Sequence, residues 1–240
     1  MKKRALVTGG NSPIGSAICE ELASADIHTI VHGHSHPDSS GLVVEHIRSQ
    51  GGSAESISFN LMDAIETEQA VLTLLKPGPI QILVHNAGVF EDGPMAGMSH
   101  QQWDRVVDVT LNGFFYVTQP LLLPMLRTRW GRIVTISSLS GMIGHRGQTN
   151  YAAAKAGLHG ASKSLAIEVA SRGVTVNVVA PGLIDSPATH RVFTQEHISS
   201  LVPMKRVGDP KDVAALVGFL ASDKAGYISG QVIGINGGMA

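Results

Sequence analysis

Seven short runs of β-branched and aliphatic residues, spaced by longer stretches of helical periodicity, restrict this chain more than any other property of its sequence. The runs fall near 4–8, 28–33, 55–59, 80–84, 131–137, 174–179 and 231–236, and the helical patterns near 13–25, 40–50, 64–76, 99–127, 150–171 and 210–221. A run such as Ile80-Gln81-Ile82-Leu83-Val84 is almost continuously apolar, as suits a strand covered on both faces. Such strands alternating with amphipathic helices predict an α/β fold: a doubly wound parallel sheet of about seven strands with helices on both faces. No linker, repeat or low-complexity tract interrupts residues 1–240, so one domain is expected. Patterning is weakest from Leu183 to Pro203, after Pro181-Gly182, where a mobile flap over a site and an ordinary surface connection fit equally well.

Composition narrows the functional classes. With 43% hydrophobic and 15% charged residues the chain suits a compact protein, and a net charge of −1 without long runs of one sign gives no reason to expect nucleic acid. The single cysteine, Cys19, allows no intrachain disulfide and sits in an apolar helical pattern as a buried, inert thiol. Met1-Lys2-Lys3-Arg4 resembles the start of a signal peptide, but Ala5-Leu6-Val7 is too short for its apolar core. No stretch approaches the ~20 apolar residues of a membrane span, so a soluble, cytoplasmic protein without a membrane partner is expected.

The first strand runs into Thr8-Gly9-Gly10-Asn11-Ser12-Pro13-Ile14-Gly15 and then a helix. A small-residue turn in that place brings backbone N–H groups and a helix N-terminus to a pyrophosphate, although a tight turn without a ligand uses the same residues. The second strand ends Val31-His32-Gly33-His34. An acidic residue there binds the ribose 2′-hydroxyl of NAD; Gly33 leaves room for a 2′-phosphate, so NADP(H) is favoured and NAD(H) not excluded. Asn11, Ser12, His34 and His36 are the polar candidates around that phosphate. In a strand His32, His34 and His36 share a face, which also permits a metal site, but a polar strand end explains them as well. Asn60-Leu61-Met62-Asp63 follows the third strand at the expected adenine edge, with Asp63 as helix N-cap. His85-Asn86-Ala87-Gly88 closes the fourth strand, and the fifth delivers Ser137 and Ser138 at its carboxyl end.

Within Asn150-Tyr151-Ala152-Ala153-Ala154-Lys155-Ala156-Gly157, Tyr151 and Lys155 stand one helical turn apart on one face. A free tyrosine titrates near ~10; an ammonium one turn away favours the phenolate and is expected to lower that value. The spacing alone also describes two surface residues meeting by chance.

Taken together, Thr8-Gly9…Gly15, Asn86-Ala87-Gly88, Ser138, Tyr151-x-x-x-Lys155 and Pro181-Gly182 resemble the short-chain dehydrogenase/reductase family over essentially the whole chain. Within it, Gly147-Gln148-Thr149-Asn150-Tyr151, Arg172-Gly173-Val174-Thr175-Val176-Asn177, Tyr227-Ile228-Ser229-Gly230-Gln231 and Asn236-Gly237-Gly238-Met239 are most similar to β-ketoacyl-(acyl-carrier-protein) reductases. The resemblance implies a Rossmann-like fold, a homotetramer and hydride transfer from NADPH to the 3-oxo group of an acyl thioester. Tyr151 would give the proton, Ser138 would bond the carbonyl oxygen, and Lys155 would lower the tyrosine pKa and hold the nicotinamide ribose. Thr8, Gly9, Asn11, Ser12, Ile14, Gly15, His34, Asn60, Leu61, Asn86, Ala87 and Gly88 would hold the rest of the cofactor. Pro181, Gly182, Ile184 and Ser186 would line the nicotinamide. Gln148 would meet substrate, and Arg129 and Arg172 match basic positions that dock an acyl-carrier protein, though they suit an ordinary surface equally.

Three residues depart from the family pattern. Pro13 stands where glycine is usual and removes one N–H from the phosphate cradle, at a helical position that tolerates it. His85 replaces the first Asn of Asn-Asn-Ala-Gly, a change expected to be mild. Thr110 stands where an Asn usually holds a water that links the lysine to solvent. In a regular helix Asn112 points away from that place, and a threonine hydroxyl lacks the two donors of an amide. A working reductase with an altered proton relay is expected, and the departures hint at unusual chains such as polyketide- or aryl-polyene-type thioesters. A dehydrogenase of a small alcohol, sugar or steroid, and a cofactor-binding subunit with little catalysis, are the rival readings.

Overall fold

In the computed structural model, which describes residues 2–34 and 37–240, strand follows helix in the expected alternation. Strands β1 (Arg4–Thr8), β2 (His28–His32), β3 (Ala54–Ile57), β4 (Ile82–His85), β5 (Gly131–Ile136), β6 (Val174–Pro181) and β7 (Val232–Ile235) form one sheet in the order β3-β2-β1-β4-β5-β6-β7. Every pairing is parallel.

Side-chain alternation explains why these runs are apolar throughout. On β1, Leu6 points to one face while Ala5 and Val7 point to the other; on β4, Leu83 opposes Ile82 and Val84 in the same way. The Leu6 face packs beneath α3 (Ala64–Leu75) and α7 (Thr149–Val169), and the Val7 face beneath α1 (Pro13–Ser24), α2 (Pro37–Ser49) and α10 (Pro210–Ala221). All six residues of β5 and all eight of β6 are buried. Each large aliphatic side chain withdrawn from water in this way stabilises the fold by ~1.5–3 kcal/mol, which is why both layers must be apolar.

The long pattern at 99–127 is not one regular helix. It divides into α4 (His100–Val107), a π turn (Asp108–Asn112) and α5 (Gly113–Thr128). Together they form a stretch long and apolar enough by composition to cross a membrane, which the sequence reading did not allow for. Its apolar face, with Phe114, Val117, Leu121 and Met125, is spent on the sheet. Three short helices also stand where no periodicity pointed: α6 (Leu139–Ile143), α8 (Pro187–Val192) and α9 (Gln195–Leu201). The weakly patterned segment after Pro181-Gly182 therefore carries two capped helical turns.

Candidate active site

Strand order reverses between β1 and β4, and the carboxyl ends on either side of that point open into a groove, the place where open α/β sheets bind ligands. Two hollows, of about 600 and about 510 Å³, share Ser12, Asn86 and Gly88 in their walls.

The first hollow is built on the turn after β1. Gly9 has φ +60°, and a Cβ on it would stand 3.0 Å from both Ala87 Cα and Asn86 Nδ2. Only glycine lets the turn lie that close to β4. Ser12 caps α1, its hydroxyl accepting from the Gly15 N–H (3.1 Å) and donating to the Gly9 carbonyl (2.8 Å). The Asn86 amide donates to the carbonyls of Thr8 (3.1 Å) and Gly9 (2.8 Å) and to Ser12 Oγ (3.2 Å), tying the turn to β4. Pro13 occupies the first turn of α1 as expected. Gly9, Asn11, His34, Asn60, Leu61 and Ala87 line this hollow, and Ile14 lines the second. Thr8 and Gly15 belong to neither wall. Thr8 is buried, its hydroxyl accepting from the Asn86 and Ala87 N–H groups (3.1 Å each), and any side chain on Gly15 would collide with the Gly9 carbonyl. Both shape the turn from beneath.

At the far end of this hollow a Cβ on Gly33 would press into Ser40 Oγ and Asn11 Nδ2. Asn11 donates to Ser39 Oγ (2.8 Å), while the buried Ser40 hydroxyl has no partner among the described residues. His34 is exposed, and His36 lies outside the described residues. His32 is buried. Its Nδ1 accepts from the Gly9 N–H (3.2 Å), so Nε2 carries the proton and donates to the Phe59 carbonyl (2.9 Å). Burial pushes its pKa down to about 4. With both nitrogens committed, His32 cannot join a metal site with its neighbours.

The second hollow gathers Ser138, Tyr151 and Lys155, with Pro181, Gly182, Ile184 and Ser186 across from them. Ser138 is the N-cap of α6 and accepts from the Ser140 N–H (3.1 Å); it lines the same hollow as Tyr151, where its hydroxyl favours the phenolate. Lys155 is 3% exposed, and its ammonium donates to the Ile136 carbonyl (2.7 Å) while lying 5.6 Å from the centre of the Tyr151 ring. Burial lowers its pKa to about 8. Tyr151 departs from the expectation: its pKa is raised, because burial and the charge of Asp92 outweigh the hydrogen bond from Ser138, and Lys155 is not what sets it. The ammonium is turned toward the β5 carbonyl rather than the phenol oxygen.

Thr110 lies in the π turn, fully buried, with a hydroxyl that has no partner among the described residues. A methyl group on Gly88 would sit 3.0 Å from Lys155 Nζ and 3.4 Å from Thr110 Oγ1, so the two polar atoms flank one small space that glycine leaves open. Asn112 is engaged elsewhere, donating to Asp108 Oδ1 (2.7 Å). Gln148 is outside the groove wall: its amide donates to Asp92 Oδ2 (2.9 Å) and accepts from Ser140 Oγ (2.8 Å). Arg129 and Arg172 do lie near each other, Arg129 donating to the Ser171 carbonyl (3.2 Å), and both are exposed. They precede β5 and β6, and so stand at the amino ends of these strands, one strand length of ~20 Å from Ser138.

Sequence reasoning missed Phe90, which is 61% exposed and meets Tyr151 edge-on at 6.5 Å, and Arg191 on α8, which lines the same hollow. Phe90 follows Gly88 by two residues, the only sequence signal it carried.

A hydroxyl pair beside a buried ammonium, next to a turn of the kind that accommodates a dinucleotide, has the chemistry to pass a proton to an oxygen held in the hollow. A family profile described as enoyl-(acyl carrier protein) reductase matches residues 9–240. The chain belongs to the short-chain dehydrogenase/reductase family, whose members are NAD(P)-dependent oxidoreductases. It is 40% identical over 241 residues, all of both chains, to a 3-oxoacyl-[acyl-carrier-protein] reductase of Aggregatibacter actinomycetemcomitans. It is 41% identical to the protein of that name in Staphylococcus aureus, over 100% of this chain and 98% of the relative, and 38% identical to that of Buchnera aphidicola, over 99% and 97%.

Proposed function

We propose that this chain reduces the 3-oxo group of an acyl thioester carried on an acyl-carrier protein, using NADPH. The observation that carries the reading is Ser138, Tyr151 and Lys155 gathered in one hollow that shares Ser12, Asn86 and Gly88 with the dinucleotide turn, with Lys155 Nζ 5.6 Å from the centre of the Tyr151 ring. The names of the full-length relatives support the substrate class.

The residues fit a dinucleotide. The Gly9 turn leaves backbone room for a pyrophosphate, and the N-terminus of α1 faces the same space. Only one carbonyl accepts from the buried Lys155 ammonium among the described residues, so donors remain for ribose hydroxyls. Gly33 with Asn11, Ser39 and the Ser40 hydroxyl, which has no partner among the described residues, supports a 2′-phosphate over a carboxylate-bound 2′-hydroxyl. When bound, a reduced nicotinamide supplies the hydride. Ser138 and Tyr151 then hold the substrate oxygen between two hydroxyls, and Tyr151 gives its proton as negative charge grows there. A phenol whose pKa is raised stays protonated at neutral pH, which suits reduction rather than its reverse. Lys155, with donors to spare, passes the proton back toward Tyr151, and Thr110, through its hydroxyl and a water in the space beside Gly88, links that lysine to solvent. Arg129 and Arg172 would be the docking surface of the carrier, and exposed Phe115 and Leu123 on α5 and Ile167 on α7 are apolar surface that suits the contacts of a homotetramer.

The test is a panel of 3-oxoacyl thioesters, 2-enoyl thioesters and free ketones, each run with NADPH and NADH. Turnover of 3-oxoacyl thioesters with NADPH supports the proposal. Turnover of the enoyl substrates alone, or of a free alcohol, sugar or steroid ketone alone, replaces it. Tyr151→Phe must abolish whichever reaction is seen; if it does not, the proton donor is another group.

A further inference from the structure

We propose that His85 is a positioning residue that holds Thr110 opposite Lys155, so that residues 85 and 110 act as one unit. This rests on the proton path assigned above to Lys155 and Thr110.

The tautomer of His85 follows from its neighbours. His85 ends β4, fully buried, paired in register with Thr8 of β1. Thr8 Oγ1 already accepts two backbone N–H groups, from Asn86 and Ala87 (3.1 Å each). Both its lone pairs are used, so its own proton must go outward, and His85 Nδ1 lies 3.2 Å away to take it. Nδ1 is therefore the acceptor and Nε2 carries the proton, which it donates to the Thr110 carbonyl at 2.9 Å. The charged form, which needs a proton on both nitrogens, would place two donors against one another at Thr8. Burial, with the nearby Lys155 and His32, opposes that form too, pushing the His85 pKa down to about 3.

The carbonyl that His85 holds belongs to the π turn, where the helical ladder is locally re-spaced. Fixing the Thr110 backbone there fixes where its hydroxyl points. That hydroxyl is buried without a partner among the described residues and faces, across the space left by Gly88, an ammonium with donors to spare. A single imidazole thus runs from the nucleotide turn, through Thr8, to the wall behind Lys155. The two departures from the family pattern at 85 and 110 touch one another.

An asparagine at 85 keeps a polar atom near Nδ1 and loses the reach to Thr110; a glutamine reaches the position of Nε2. In single-turnover and steady-state assays with the substrate found in the panel above, His85→Asn is expected to lower kcat about tenfold, and His85→Gln to restore most of it, while KM for NADPH changes little. Thr110→Val removes the hydroxyl at nearly constant shape. In that background His85→Asn is expected to cost less than about twofold more, because the unit is already broken. Independent, multiplying effects of His85→Asn and Thr110→Val, or a His85→Gln variant as slow as His85→Asn with unchanged melting temperature, would overturn the proposal. The wild-type protein gives a readout that needs no substrate: ¹⁵N NMR of its histidines must show His85 neutral and protonated on Nε2 from pH 5 to 8. An Nδ1-protonated or charged ring refutes the positioning role, and does so whether or not the thioester reading stands.

Discussion

Replacing Lys155 with methionine separates what the ammonium does for catalysis from what it costs the fold. Its pKa falls from 10.5 to about 8 because the charge is buried, and that difference corresponds to ~3 kcal/mol of destabilisation wherever the lysine is charged in both folded and unfolded chains. The sign follows from proton counts. Below pH 8 both states hold the proton and the cost is complete; between about 8 and 10.5 the unfolded chain holds it and the folded one does not, so stability rises with pH. Methionine has similar length and no charge, but it leaves the Ile136 carbonyl without its donor, a loss of ~1–3 kcal/mol. Near pH 7 the two changes nearly offset, and Lys155→Met is expected to be as stable as the wild type or slightly more so. Other titrating groups cancel in the comparison, so the wild type should gain up to ~3 kcal/mol on the variant between pH 8 and 10.5. Urea melts of both proteins at four pH values measure it, alongside loss of turnover in the variant. Parallel stability curves would show that Lys155 is not buried as a charge, and the reasoning about its donors would fall with that result.

Three further outcomes follow from the same geometry. Gly88→Ala puts a methyl 3.0 Å from Lys155 Nζ, which is held by the Ile136 carbonyl, so kcat should fall about tenfold or more in a folded protein; unchanged kcat would mean the space beside Gly88 has no role. Gly33→Asp forces a carboxylate against Asn11 and Ser40, and the ratio of NADPH to NADH preference, from kcat/KM with each, should drop at least about tenfold. Reduction measured as kcat/KM for the cofactor, which reports the free enzyme, should bend downward above pH about 8 as Lys155 loses its proton; a flat profile to pH 9.5 assigns that proton elsewhere.

The sheet was legible because its strands are buried on both faces, and burial of that kind leaves an uninterrupted apolar run in the sequence. The same physics hid the short helices. Both α8 and α9 begin with ordinary caps, Ser186 accepting from the Thr189 N–H and Thr194 from the His197 N–H, but neither is long enough to show a period. The π turn was not legible for a different reason. Leu111 packs where a side chain on Gly157 would stand, Leu61 packs against Gly113, and His85 takes the Thr110 carbonyl, so its neighbours come from three other parts of the chain. Spacing and resemblance singled out Tyr151, Lys155 and Ser138, and the fold gathers the three in one hollow, yet the Tyr151 pKa moves opposite to the expected direction. Spacing says that two groups can meet; only packing says how much water each has lost.

Electrostatics at the nucleotide turn is also different from what a histidine-rich sequence suggests. His32 and His85 flank Thr8 on neighbouring strands, beneath the turn proposed to hold a dinucleotide phosphate, and protonated imidazoles there would look like phosphate ligands. Each instead accepts at Nδ1 and donates from Nε2 to a backbone carbonyl, of Phe59 and of Thr110, and burial keeps both neutral. They serve as rigid spacers, worth having because an imidazole spans two backbone groups about one ring apart without a charge to desolvate. On the proposed reading, the attraction for an anionic cofactor falls to the N-terminus of α1 and to Lys155, since the Gly9, Gly10 and Ser12 N–H groups are already bonded within the protein. Pro13 costs the helix little, since its missing N–H falls where α1 has no internal partner for one, but it leaves that N-terminus one donor fewer.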